Sequence, residues 1–358
     1  MWSRPGSGPR SGNGWASVAD LHPPREVFDL TGHEAAEDAF EATRARGRLH
    51  HAWLLTGPEG VGKATFAYRA ARRLLGAPAD PSHGILGASP DHPVSRQIIA
   101  HAHPDLLVLE RVGEDGKVRK VIPVDEARQL SEFFSKTPAN APHRVAIVDA
   151  ADDLNVNAAN AILKTLEEPP AHGVLLMVSH SPGRLLPTIR SRCRRLAFQP
   201  LPLEEAAAFV RAREDMSVED SLRLATMAGG APGRAWALSH AGAIAIDDAA
   251  RALMEGLPRL DEAMALSLAD KFRGVGGQAQ FNLLFDRLSE RVHGLSVDRA
   301  GQGVGGLDRW AAAWETLQRL SRDVVTPSGD GEPGTSAVGT RLSRGTSISD
   351  RRRRPGRS

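Results

Sequence analysis

Gly57-Pro58-Glu59-Gly60-Val61-Gly62-Lys63-Ala64-Thr65 has the spacing of a phosphate-binding loop, G-x-x-x-x-G-K-[ST], up to its last position. Gly57, Gly60 and Gly62 let the backbone bend so that its N–H groups converge on phosphate oxygens. Lys63 would bring a point charge to the β- and γ-phosphates. The last position calls for a hydroxyl that ligates Mg²⁺, and Ala64 has none. Thr65 carries one, but a step of one residue along a helix turns the side chain by about 100°, so it is no simple replacement. The loop reads as a nucleotide cradle with a metal ligand removed.

A second group shows the same defect. Val145-Ala146-Ile147-Val148-Asp149 is an apolar run ending in a carboxylate, the Walker B arrangement, in which Asp149 would hold Mg²⁺ through water. In hydrolysing AAA+ ATPases a glutamate follows and activates the attacking water; here the next residue is Ala150. Asp152 and Asp153 lie nearby, at the start of the following turn rather than at the strand tip. Two independent catalytic positions are thus alanine, which points to a site that binds nucleotide weakly or not at all.

These residues need a parallel sheet to carry them, and the chain has the pattern of one. Short apolar runs at 52–56, 106–110, 144–149, 174–179 and 195–198 read as strands alternating with helices, the α/β signature. Helices are expected from 63 to 75, over 125–135 and over 158–168, the last closed by Pro169 and Pro170. After Pro200 the strands stop, and helices are expected over 203–213, 218–227, 234–240, 246–256 and 261–272. Phe281, Leu284, Phe285, Leu288 and Val292 share one helical face, and Trp310, Trp314 and Leu317 continue the spacing as bundle core. The expected division is a flexible segment at 1–24, a P-loop α/β domain at 25–200, a small helical domain at 201–242, an all-α domain at 243–325 and a disordered basic tail at 326–358. The tail carries four consecutive arginines, 351–354, close to its end, and reads as a solvated end rather than a nucleic-acid contact.

Composition narrows the class without choosing a function. The 358 residues leave room for two or three domains, and 41% hydrophobic with 25% charged residues is ordinary for a globular protein. A net charge of +2 sets up no global field toward nucleic acid or membrane. The single cysteine, Cys193, excludes an internal disulfide and a cysteine-rich zinc ribbon. No apolar run approaches a membrane span and residues 1–14 lack the apolar core of a secretory signal, so a cytoplasmic location is expected.

The run from Asp152 to Pro170, with Asn160-Ala161-Ile162-Leu163-Lys164-Thr165-Leu166-Glu167-Glu168 at its centre, closely resembles the stretch after Walker B in bacterial clamp-loader subunits. Pro187-Thr188-Ile189-Arg190-Ser191-Arg192-Cys193 is similar to their Ser-Arg-Cys motif, and Leu49-His50-His51-Ala52 to their lead-in to the P-loop. The resemblance is to the delta-prime family of DNA polymerase III, strong over 27–200, moderate to about 240 and architectural beyond. It implies an AAA+ module, a helical lid and a helical collar. It also implies a hetero-pentamer with gamma/tau ATPase subunits and a delta subunit, which places the sliding clamp on primed DNA within the DNA-directed DNA polymerase III holoenzyme, a nucleotidyltransferase complex.

Members of this kind are non-hydrolysing stators, in agreement with Ala64 and Ala150. Arg192 matches the arginine finger that reaches a neighbour's ATP and would stabilise charge on its γ-phosphate. Spacing alone does not choose it from Arg190, Arg194 and Arg195, a group that also reads as a basic strand edge; the motif selects it. Ser179 matches the sensor position and Arg234 the lid arginine. Many relatives carry a four-cysteine zinc site that is missing here, and His83, His92, His101 and His103 match no zinc spacing. The segment is therefore expected to be a metal-free insertion with a hairpin tip at 113–120. No cofactor is required, and weak ATP or ADP binding stays open. The competing reading is a self-sufficient AAA+ ATPase of DNA replication or repair, with Thr65 and Asp152 or Asp153 compensating. A small-molecule P-loop kinase would need a phosphoacceptor site and a closing lid, and the helical second half offers no recognisable one.

Overall fold

Five apolar runs form one parallel sheet: β1 (Ala52–Thr56), β2 (Leu106–Glu110), β3 (Arg144–Asp149), β4 (Gly173–Ser179) and β5 (Arg194–Ala197), in the order β2-β3-β4-β1-β5. The computed structural model describes residues 23–113, 118–256, 262–272 and 277–301, together with 312, 315 and 316. The lead-in at 1–22, the hairpin tip at 114–117, Trp310, Trp314 and Leu317, and the basic tail at 326–358 lie outside the described residues.

Alternation along the strands sends side chains to two layers. Trp53, Leu55, Val145, Ile147, Val174, Leu176 and Val178 pack in one buried cluster with Phe66, Ala67, Ala70 and Leu74 of α2 (Lys63–Leu74) and with Phe40 of α1 (Glu34–Ala45). Leu54, Ala146, Val148, Leu175 and Met177 pack on the other side with Ala127 and Leu130 of α4 (Val124–Ser135) and Ile162 and Leu166 of α5 (Val156–Glu167). Burial on both faces is why β1 and β4 lack the polar-apolar alternation of a half-exposed strand. Each buried valine, leucine, isoleucine, methionine or phenylalanine among them contributes about 1.5–3 kcal/mol.

Several boundaries differ from the sequence expectation for local reasons. Helix α5 begins at Val156 rather than 158 because Asn155 is its N-cap, accepting from the Ala158 N–H at 2.9 Å. Helix α3 (Pro93–Ile99) occupies the insertion, with the His92 side chain capping it by accepting from the Val94 N–H. Helix α6 (Pro187–Arg192) carries the Ser-Arg-Cys motif up to Arg192, and β5 starts at Arg194 instead of 195. The remaining helices are α7 (Leu203–Arg211), α8 (Val218–Met227), α9 (Pro232–His240), α10 (Ala243–Glu255), α11 (Glu262–Lys271) and α12 (Gly277–Gly301). Helix α9 starts at Pro232, two residues early, since proline suits the first helical turn.

The described residues divide into two compact units between Leu238 and Ser239. In the second unit Phe281, Leu284, Phe285, Leu288 and Val292 of α12 are buried, and Arg291 pairs with Asp247 of α10 at 2.8 Å.

Candidate functional site

The loop between β1 and α2 sits at the carboxyl edge of the sheet, where ligands of open α/β sheets bind. Its glycines are needed for close approach. Gly57 has φ +151°, and a Cβ there would stand 2.3 Å from the Phe198 carbonyl oxygen. Gly60 has φ +76°, and a Cβ would stand 2.4 Å from the Arg234 backbone nitrogen. The Gly233 N–H donates to the Gly60 carbonyl at 2.9 Å, so the first turn of α9 rests on the loop through its backbone. Leu30 and His33 stand over Gly62, and His33 Nε2 donates to the Val61 carbonyl at 2.8 Å. Burial lowers the His33 pKa, which favours the neutral imidazole.

Lys63 is only 3% exposed, and its ammonium donates to the loop's own carbonyls, Gly57 at 2.6 Å and Pro58 at 2.5 Å. Burial pushes its pKa down to about 8, against the opposing pull of Asp149, Glu59 and Asp152. The cation that would meet phosphate is engaged inside the loop.

The carboxylates are arranged just as tightly. Asp149 at the tip of β3 lies in register with Glu110 of β2. Burial, reinforced by Glu110, raises the Asp149 carboxyl to about 6 although Lys63 opposes the shift. Asp152 accepts from Ser179 Oγ at 3.2 Å and from the N–H groups of His180 at 2.6 Å and Ser181 at 3.0 Å. Asp153 pairs with Arg111 at 3.0 Å. Both residues follow the strand in a 3-10 turn, Ala151–Asp153, where they fasten neighbouring loops. Ser179 is fully buried, and its carbonyl accepts from the Gly57 N–H at 3.3 Å.

Sequence reasoning thus named residues that the fold gathers: Gly57, Gly60, Gly62, Lys63, Asp149 and Ser179 meet at one sheet edge. Thr65 is half-buried on α2, and Arg234 reaches the loop with its backbone while its side chain is exposed. Among the histidines of the insertion, His83 pairs with Asp29 at 2.8 Å and His103 Nδ1 accepts from the Asp105 N–H at 3.1 Å. No group of three or more His, Cys, Asp or Glu side chains is placed to hold a metal among the described residues.

Arg192 lies elsewhere, as the last residue of α6. The basic strand edge is corrected accordingly: Arg190 and Arg192 belong to a helix, and only Arg194 and Arg195 to β5. Arg194 lies over the Trp53 ring, and Arg195 Nε donates to Thr56 Oγ1 at 3.0 Å. Arg192 Nη1 donates to the Thr188 carbonyl at 3.1 Å, and Nη2 pairs with Glu167 Oε1 at 3.0 Å. Sequence reasoning missed His33 and the contact between Glu167 and Arg192. A signal for Glu167 was present in its Leu166-Glu167-Glu168-Pro169 setting, but only folding brings it to Arg192.

A loop of this spacing on β1, with a carboxylate on β3 and β4 between them, defines a P-loop ATPase-type module. Comparison with known proteins is more specific. A family profile described as "DNA polymerase III, delta subunit" matches residues 32–202. The DNA polymerase III subunit delta' of Pseudomonas aeruginosa is 35% identical over 274 residues, 73% of this chain and 78% of that protein. Subunit delta' of Escherichia coli K12 is 34% identical over 198 residues, 55% of this chain and 57% of that one. Subunit gamma/tau of Mycobacterium tuberculosis H37Rv is 30% identical over 202 residues, 56% of this chain and 33% of that protein. The chain belongs to the DNA polymerase III delta' family. No helix among the described residues is long and apolar enough to cross a membrane.

Proposed function

We propose that this chain is a non-hydrolysing stator subunit of a DNA polymerase III clamp loader, helping to place the sliding clamp on primed DNA. Its partners are gamma/tau-type ATPase subunits and a delta-type subunit in a hetero-pentameric, cytoplasmic complex. The single observation that carries the stator reading is the pair of alanines, Ala64 at the start of α2 and Ala150 just past the tip of β3, where the Mg²⁺-ligating hydroxyl and the water-activating carboxylate would stand. Mg²⁺-nucleotide does not fit this set: position 64 lacks the hydroxyl, position 150 lacks the carboxylate, and the α9 backbone covers Gly60. The rival reading needs Asp152 or Asp153 to substitute, and both carboxylates are engaged in holding loops.

Catalytic participation is assigned instead to Arg192, acting in trans as the arginine finger on a neighbour's γ-phosphate. Its guanidinium is 37% exposed at a helix end, available to a partner without rearrangement of the core. The stator reading is tested by titrating the purified chain with ATP and ADP in a calorimeter and by assaying its hydrolysis alone. Neither heat of binding at millimolar nucleotide nor turnover above background is expected. DNA-stimulated hydrolysis by the isolated chain would restore the self-sufficient ATPase.

A further inference from the structure

The guanidinium of Arg192 is held on its own protein by two different elements. Nη1 donates to the Thr188 carbonyl, one turn earlier on α6, at 3.1 Å. Nη2 stands 3.0 Å from the Glu167 carboxylate, which is the last residue of α5. Arg190, on the same short helix, makes neither contact. A free arginine must surrender its rotamer freedom before it meets an anion, whereas one already tied to two helices has surrendered much of it. The planar fork makes this useful, since fixing one edge sets the direction of the remaining N–H groups.

We propose that Glu167 is a positioning residue for Arg192, aligning the guanidinium before the neighbouring subunit's nucleotide arrives. The proposal rests on the trans role of Arg192 given above. Glu167 touches no nucleotide itself; it acts through the arginine. The pair is half-exposed, with 37% and 52% of the two side chains accessible, so its effect on turnover is modest. An ion pair in such a setting moves an equilibrium by about two- to fivefold.

The test is steady-state ATP turnover by the reconstituted loader, with clamp and primed DNA, carrying Glu167→Gln, Glu167→Asp, Arg192→Ala or the double variant Arg192→Ala/Glu167→Gln. Glu167→Gln is expected to lower kcat about two- to fivefold with the KM for ATP unchanged. Glu167→Asp should recover part of the loss, and Glu167→Gln should cost nothing further once Arg192 is alanine. An unchanged or higher kcat in Glu167→Gln overturns the proposal, the higher value meaning that the carboxylate sequesters Arg192. An equal loss in the Arg192→Ala background overturns it too, since Glu167 would then act by another route. A loader unaffected by Arg192→Ala removes the trans role itself, an outcome distinct from failure of Glu167 alone.

Discussion

Lys63 and Asp149 are the charged pair that a working site would share between phosphate and Mg²⁺, and in this protein burial shifts both toward their neutral forms. The signs lead to separate pH windows. A carboxyl raised from 3.8 to about 6 keeps its proton longer in the folded chain than in the unfolded one. Its contribution to stability is full below 3.8 and is lost as pH rises through about 6. Asp149→Asn, which mimics the protonated form, should therefore raise the melting temperature at pH 7.5, by no more than about 3 kcal/mol of stability. The gap should close below about pH 4, where wild-type Asp149 is itself protonated. A lower melting temperature at pH 7.5 would show that pairing with Lys63 outweighs the burial of the carboxylate. Lys63 works in the alkaline window. Lowered from 10.5 to about 8, it adds stability as pH rises between those values. Lys63→Met should flatten that rise in a thermal-denaturation series.

At the scale of elements, the strand that carries Asp149 is anchored at its other end by Asp105. This carboxylate is fully buried, accepts from the N–H groups of Ala139, Asn140 and Ala141 at 2.8, 2.9 and 3.2 Å, and pairs with Arg144 Nε at 3.2 Å. Asp105→Ala would leave Arg144 buried without its counter-ion and three N–H groups without an acceptor. A loss of about 3–5 kcal/mol in urea denaturation is expected. The sheet was legible in the sequence because both its faces are covered, so that stretches such as 145–148 are apolar throughout. Ala64 and Ala150 were legible because a missing group at a defined spacing needs no tertiary knowledge. Helix α6 was not, being too short to show a period and beginning at Pro187. The packing around the loop was equally hidden. Phe198, the Arg234 backbone, Leu30 and His33 lie against it from distant parts of the chain and carry no local mark.

For the whole molecule, the stator role proposed above divides nucleotide chemistry between chains: a neighbour holds the nucleotide, and this protein offers Arg192 to it from outside. The first compact unit has its own two-layered core around the sheet. A fragment of residues 16–242 should accordingly unfold in one cooperative transition by circular dichroism; a gradual loss of signal would show that it needs the rest of the chain. The division of chemistry is tested most directly by ATP turnover of the reconstituted loader with Arg192→Ala and Lys63→Ala measured side by side. An arginine finger is worth about 10³–10⁵ in kcat at the site it serves. Arg192→Ala is expected to abolish the share of turnover belonging to the adjacent ATPase subunit, and Lys63→Ala to leave turnover near wild type. Normal turnover with Arg192→Ala, or an equal fall with Lys63→Ala, would contradict it.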